Sequence, residues 1–174
     1  MKIHKLILSS LITSVVAAGV LHSVTGTSAQ AATQSPSSGR GAYMEPKISH
    51  EQYGALKIVV PMTSDDKAIQ GMKLRNIENS LNAVKKWGGE IQGSVVIYAK
   101  GISLLKNPDT ETQKKIEALK AGGVRFVVCD NTLREQGIDF HKLYHVTEQD
   151  IVPSGFAEVA YLQTRESYVV DPIN

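Results

Sequence analysis

Cys129 is the single cysteine of this 174-residue chain. It follows the apolar run VRFVV at 124–128 and precedes Asp130-Asn131-Thr132. A thiol at a strand end, just ahead of a helix start, meets free backbone N–H groups and the positive end of the helix macrodipole, and both favour an anion. That setting lowers a thiol pKa and promotes the thiolate, the competent nucleophile. Asp130 next door works against the negative charge, and Arg134 offsets it if it folds back toward the sulfur. The opposing reading makes Cys129 a small buried apolar residue, since free Cys is among the most buried residue types. Position alone leaves both open. One cysteine also excludes an internal disulfide and any multi-cysteine zinc or iron–sulfur site.

Other chemistry-bearing residues are sparser. His141 and His145 are spaced i, i+4 and share a face if that stretch is helical. Such a pair binds metal only with further ligands, and no H-E-x-x-H pattern supplies them, so the pair is read as solvated or capping, or as lining the mouth of the Cys129 site. No metal and no other cofactor is expected. A Ser-His-Asp hydrolase needs a G-x-S-x-G elbow, and none is present; a P-loop is absent too. Gly88-Gly89 and Gly122-Gly123 close helical patterns and read as C-caps, not phosphate cradles. The loop Pro61-Met62-Thr63-Ser64-Asp65 carries an acid and lacks the hydroxyl-rich run that a flavin phosphate favours. Asn76 and Asn79 put polar groups into the long helix, facing solvent or bonding to nearby loops.

The elements that must position these residues alternate. Residues 55–60 (ALKIVV) form a short apolar run ending at Pro61, which predicts a buried strand. Ser64-Asp65-Asp66 then opens a helix with Ile69, Met72, Ile77, Leu81, Val84 and Trp87 at near-helical spacing. A second strand is predicted over 91–99. Thr110-x-x-Gln113 has the capping-box pattern and opens a helix carrying Ile116 and Leu119. The third strand is VRFVV with Cys129 at its end, and Thr132-x-x-Glu135 reads as another capping box, closed by Gly137. Pro153-Ser154-Gly155 opens a last helix with Phe156, Val159, Ala160 and Leu162, before a short strand at 167–170. Strands alternating with helices imply a mostly parallel sheet covered on both faces. The expected fold is a three-layer α/β sandwich of about five strands, flavodoxin-like in outline. In such sheets ligands bind beyond the carboxyl ends of strands, which selects the loop after Val60, the loop at Lys100-Gly101, and Cys129 with its neighbours.

Charge and the N-terminus complete the reading. Lys2 and Lys5 precede an apolar stretch at 6–21 that is diluted with serine and threonine, and Ala29 and Ala31 give a small-x-small cleavage pattern. Basic start, apolar centre and A-x-A end read as a secretory signal peptide over 1–31. The stretch falls short of the roughly 20 apolar residues that span a bilayer, so no stable membrane insertion is expected after cleavage. Those two lysines account for the whole formal charge of +2. The exported chain is then formally neutral, with no electrostatic sign of a nucleic-acid partner. Residues 32–53, rich in Ser, Gly, Gln and Pro, read as a flexible segment, and 54–174 as one α/β domain, periplasmic or secreted.

The segment VRFVVCDNTLREQGI, with the later DIVPSGFAEVAYLQTRESYVVDP, resembles the DsrE/DsrF-like family, as do LRNIENSL and VVIYAKGISLL. The resemblance covers roughly residues 55–172. It implies a three-layer α/β fold and homo-oligomers, often trimers or hexamers. In the family's sulfur-relay members a Cys after a central strand carries a persulfide and hands sulfane sulfur to a partner, and Cys129 matches that position. The implied function is a sulfur carrier or sulfurtransferase without a cofactor, exchanging sulfur with a donor or acceptor protein or a small sulfur compound. Backbone N–H groups of Asn131 and Thr132 would stabilise the anionic sulfur, assisted by Arg134. Export departs from the cytoplasmic setting of those relay members. Two alternatives stand: a non-catalytic binding or assembly module in which Cys129 only packs, and a thiol redox sensor acting through an intermolecular disulfide or sulfenic acid.

Overall fold

A computed structural model describes residues 44–171. The predicted signal peptide, and residues 32–43 of the predicted flexible segment, lie outside the described residues. Five strands, β1 (Gly54–Met62), β2 (Gly89–Ile97), β3 (Arg125–Cys129), β4 (Ile151–Val152) and β5 (Val169–Val170), form one parallel sheet in the order β4-β3-β2-β1-β5. The helices are α1 (Lys67–Lys86), α2 (Thr110–Ala121), α3 (Asp130–Gln136) and α4 (Gly155–Arg165), and a 3-10 segment, Ala99–Leu105, follows β2. The α/β class with a five-stranded parallel sheet is as the periodicity predicts.

The layering follows from handedness. The chain steps from β1 to β2 to β3 in one direction, so right-handed crossovers put α1 and α2 on the same face. After β4 it returns across the sheet to β5 beside β1, and the same rule puts α4 on the opposite face. Strand alternation builds two cores accordingly. Val60, Met62, Val95, Ile97, Phe126 and Val128 pack with Leu74, Ile77, Ile116 and Leu119. Val59, Val96 and Val127 pack with Val152, Val159, Leu162 and Tyr168 on the α4 side.

Several boundaries differ from the sequence pattern. β1 runs through Pro61, which pairs with Val96 on the β2 side. On its other side β5 meets only Ile58 and Val59, so the missing N–H of Pro61 faces no ladder and costs nothing there. β2 ends at Ile97, not at residue 99. β5 begins at Val169, because Ser167, with φ of 60°, is a turn residue. The predicted capping boxes are also displaced by one or more residues. Asp109, not Thr110, caps α2 by accepting from the Thr112 N–H at 2.8 Å. Thr132 does not open α3; it lies inside the helix, whose N-cap is Cys129. Asp66 and Ser154 cap α1 and α4, in the segments where the sequence pattern opens both helices.

Candidate functional site

β3 delivers Cys129 to the carboxyl edge of the sheet, where β2 and β4 end on either side of it. Val152 pairs with Cys129 in the β3–β4 register, and Ile97 pairs with Val128. The residues that follow these strands therefore converge on one sulfur. After β3 comes the first turn of α3, with Asn131 and Thr132. After β4 come Ser154 and Gly155, the N-cap and first residue of α4. After β2 come Tyr98 and Ala99.

Cys129 is buried, with 5% of its surface accessible. Burial pushes its thiol pKa up, but donors around it push harder the other way: the Gly155 N–H, the Thr132 hydroxyl, and the N–H groups of Thr132 and Asn131. The net position is below the usual thiol range. Asn131 and Thr132 stand at the helix positions whose N–H groups a capping oxygen ordinarily satisfies. The sulfur makes no capping hydrogen bond of that geometry in the described structure; these donors act on the negative charge of the thiolate. Two helix starts thus serve one sulfur, one through α3 and one through Gly155 of α4.

Gly155 has a steric reason to be glycine. A Cβ there would lie 2.8–2.9 Å from Cδ1, Cβ and Cγ of Tyr98, inside contact distance. The ring of Tyr98 therefore rests against the first turn of α4 and lets its N–H approach the sulfur. Burial raises the Tyr98 phenol pKa, and the Cys129 charge raises it further.

The remaining predicted site residues fall into place as follows. Asp130 and Arg134 pair with each other, Nε to carboxylate at 3.1 Å, and Arg134 also donates to Asn131 Oδ1 at 2.6 Å. Arg134 offsets Asp130 by binding it, and its described contacts are with those two side chains. Thr132, 4% exposed, contributes its hydroxyl as well as its N–H. His141 and His145 do not form a pair: the helical turn here is a 3-10 segment, Phe140–Lys142, that ends before His145, and His145 has φ of 54°. His141 Nδ1 contacts Asp139 at 2.8 Å, while His145 Nε2 lies 3.9 Å from Glu117. His141 also stacks on Phe140 and His145 on Tyr144, and no described contact of either is with Cys129. Asn76 and Asn79 line a cavity of about 430 Å³ together with Ile58, Val60, Ile77 and Ile91. That cavity does not include Cys129, so it is separate from the convergence of donors described above.

Tyr98, Gly155 and the Thr132 hydroxyl were not visible as site residues in the sequence. The only hint was the Pro153-Ser154-Gly155 helix opening, read there as a cap.

The depressed thiol has a thermodynamic consequence. Unfolded, Cys129 titrates near a pKa of about 8.5. A lower folded pKa means a stabilising contribution that is complete above the unfolded value and is lost as pH falls through the folded value. Wild type should therefore gain stability over Cys129→Ala as pH rises from about 6 to about 9, by about 1.4 kcal/mol per unit of difference between the two pKa values. Urea melts of both proteins under reducing conditions measure this; a difference that stays flat with pH would refute it.

The model of the DsrE/DsrF-like family matches residues 57–172. No curated protein matches the chain. Among solved structures, a protein of unknown function from Methanobacterium thermoautotrophicum, MTH1491, is similar at 28% identity with a TM-score of 0.57, covering 67% of this chain and 97% of that one. A conserved protein of unknown function from Bacteroides thetaiotaomicron, BT1422, is 20% identical with a TM-score of 0.48, covering 66% of this chain and 91% of that one.

Proposed function

Given that this chain belongs to the DsrE/DsrF-like family, we propose that it is a sulfur carrier or sulfurtransferase whose nucleophile is Cys129. The observation that carries the proposal is the placement of Cys129 at the carboxyl end of β3, as the N-cap of α3 and, through the β3–β4 register, beside the start of α4. There the Gly155 N–H and the Thr132 side chain favour its anion, which suits a nucleophile.

The chemistry is an exchange with no net redox change. The Cys129 thiolate attacks the outer sulfur of a sulfane donor R–S–SH. Its electron pair forms the new S–S bond, the donor S–S bond breaks, and R–S⁻ leaves with that pair. Cys129 is left as Cys–S–SH, and the low-pKa pocket favours its deprotonated form. An acceptor thiolate then attacks the outer sulfur and releases the Cys129 thiolate. The same donors that lower the thiol pKa make Cys129 a good leaving group in this second step. With 5% of its surface accessible, Cys129 suits a small donor such as polysulfide better than a bulky disulfide. That enclosure also disfavours the disulfide form of the redox-sensor reading, in which the sulfur bonds a second protein.

The proposal includes export through the N-terminal leader and self-association, as the sequence and the family resemblance imply. Exposed Phe156 and Tyr161 on α4 offer apolar area for such contacts.

Mass spectrometry tests the chemistry. Purified protein incubated with polysulfide should gain about 32 Da, one sulfur, and lose it with dithiothreitol. Cys129→Ala should gain nothing. Absence of the adduct on folded wild type would leave the non-catalytic binding module as the better reading.

A further inference from the structure

Ala99 follows β2 with φ of 51°, a left-handed conformation that alanine rarely adopts. Both of its backbone polar groups are held by side chains of α3. Its N–H donates to Thr132 Oγ1 at 2.9 Å, and its carbonyl accepts from Gln136 Nε2 at 2.9 Å. Thr132 and Gln136 are four residues apart, on one face of α3, so a single helix face clamps the strained residue. Strain of this kind persists where the surroundings over-determine it, and it clusters at functional sites.

A threonine hydroxyl has one proton to give and two lone pairs with which to accept. At Thr132 one lone pair is taken by the Ala99 N–H, which confines the proton to the remaining directions. Thr132 is the third residue of the helix whose N-cap is Cys129, a pair of positions whose side chains lie close. We propose that Thr132 is the positioning residue of the site: the Ala99 N–H orients its hydroxyl so that the one proton is directed at Cys129 Sγ, and the strained turn after β2 is thereby coupled to the nucleophile. Thr132 is 4% exposed, so no bulk water competes for that proton. The inference rests on the reading of Cys129 as the reactive group, and it gives that group a control point. Any partner or donor that shifts the turn at Ala99 also turns the hydroxyl and changes the reactivity of the sulfur.

The test is the pH dependence of Cys129 alkylation by iodoacetamide, measured with no sulfur donor present, beside thermal melts of each variant. The titratable groups around the sulfur, Tyr98 after β2 and Asp130 with Arg134 on α3, stay in place throughout. Thr132→Val keeps the shape and removes the proton; Thr132→Ala removes the proton together with both γ groups; Thr132→Ser keeps the hydroxyl and loses the methyl. Both Val and Ala variants should move the alkylation profile to higher pH and slow the reaction at neutral pH about tenfold, the effect of one pKa unit. Thr132→Ser should return to within about twofold of wild type. A wild-type profile in whichever of the Val and Ala variants melts as a folded protein would overturn the inference, as would a Ser variant that behaves like Ala. Failure of the persulfide experiment with this alkylation pattern intact would sink the sulfur-transfer reading and leave the role of Thr132 standing.

Discussion

Gly101→Ala should cost the domain about 3 kcal/mol or more, the upper end of what overpacking a core does. Gly101 is buried in the 3-10 segment after β2, and a Cβ there would sit 1.8 Å from the Met62 carbonyl oxygen and 2.9 Å from the Thr63 nitrogen. These are backbone atoms at the end of β1, so no rotamer change relieves the contact. The Met62 carbonyl is also engaged, accepting the Tyr98 N–H at 3.1 Å, and the Gly101 N–H donates to the Tyr98 carbonyl at 3.0 Å. Displacing Gly101 therefore displaces Tyr98, and with it the ring that rests on Gly155. Gly71→Ala is the internal comparison. Gly71 lies within α1 with nothing within 4 Å of its Cβ position. That substitution should raise stability by up to about 1 kcal/mol, because alanine loses less conformational freedom than glycine in a helix. Urea melts of the two variants should move in opposite directions. A Gly101→Ala protein as stable as wild type would mean that β1 and the turn after β2 do not approach as closely as the fold requires.

The strand–helix alternation was legible in the sequence because each long element announces itself. β2 and β3 are runs of β-branched residues, and α1 carries its apolar positions at helical spacing. β4 was not legible. Two residues, Ile151 and Val152, show no periodicity, and their strand character comes from pairing with Val128 and Cys129. The position of Cys129 ahead of a helix could be read from VRFVV followed by Asp130-Asn131. The exact start of α3 could not, because Thr132-x-x-Glu135 carries the stronger capping signature and a cysteine N-cap has no sequence signature. The i, i+4 spacing of His141 and His145 misled for a related reason: spacing specifies a shared face only once the stretch is helical. The donors on the sulfur divide along the same line. Those of Asn131 and Thr132 are local and followed from the helix start. Gly155 is 26 residues further along the chain, and only the β3–β4 register brings it beside Cys129. Arg134 reaches Asp130 because i, i+4 side chains on a helix are neighbours, which sequence spacing does encode.

Gly155→Ala should leave the domain folded and disarm the sulfur. Its Cβ would meet Tyr98 at 2.8–2.9 Å, and the near atoms are Cβ, Cγ and Cδ1, which lie close to the main chain and cannot swing clear as a chain tip would. Either Tyr98 or the first turn of α4 must give way. The turn is the weaker holding point, since its cap, the bond from the Ala157 N–H to Ser154 Oγ, is long at 3.3 Å. As the turn moves out, the Gly155 N–H leaves the sulfur, and that N–H is the largest of the influences holding the thiol pKa down. A hydrogen bond to a charged group contributes about 1.5–3 kcal/mol, so losing this donor should raise the thiol pKa. Alkylation at neutral pH should then slow by about 10- to 100-fold, and persulfide formation from polysulfide should slow with it. Tyr98→Ala in the same protein separates the steric cause from any other. It removes the Cγ and Cδ1 contacts and leaves the Cβ contact, so it should recover part of the rate and not all of it. A Gly155→Ala protein with wild-type alkylation kinetics would show that the start of α4 does not act on Cys129, and the site would then rest on α3 alone.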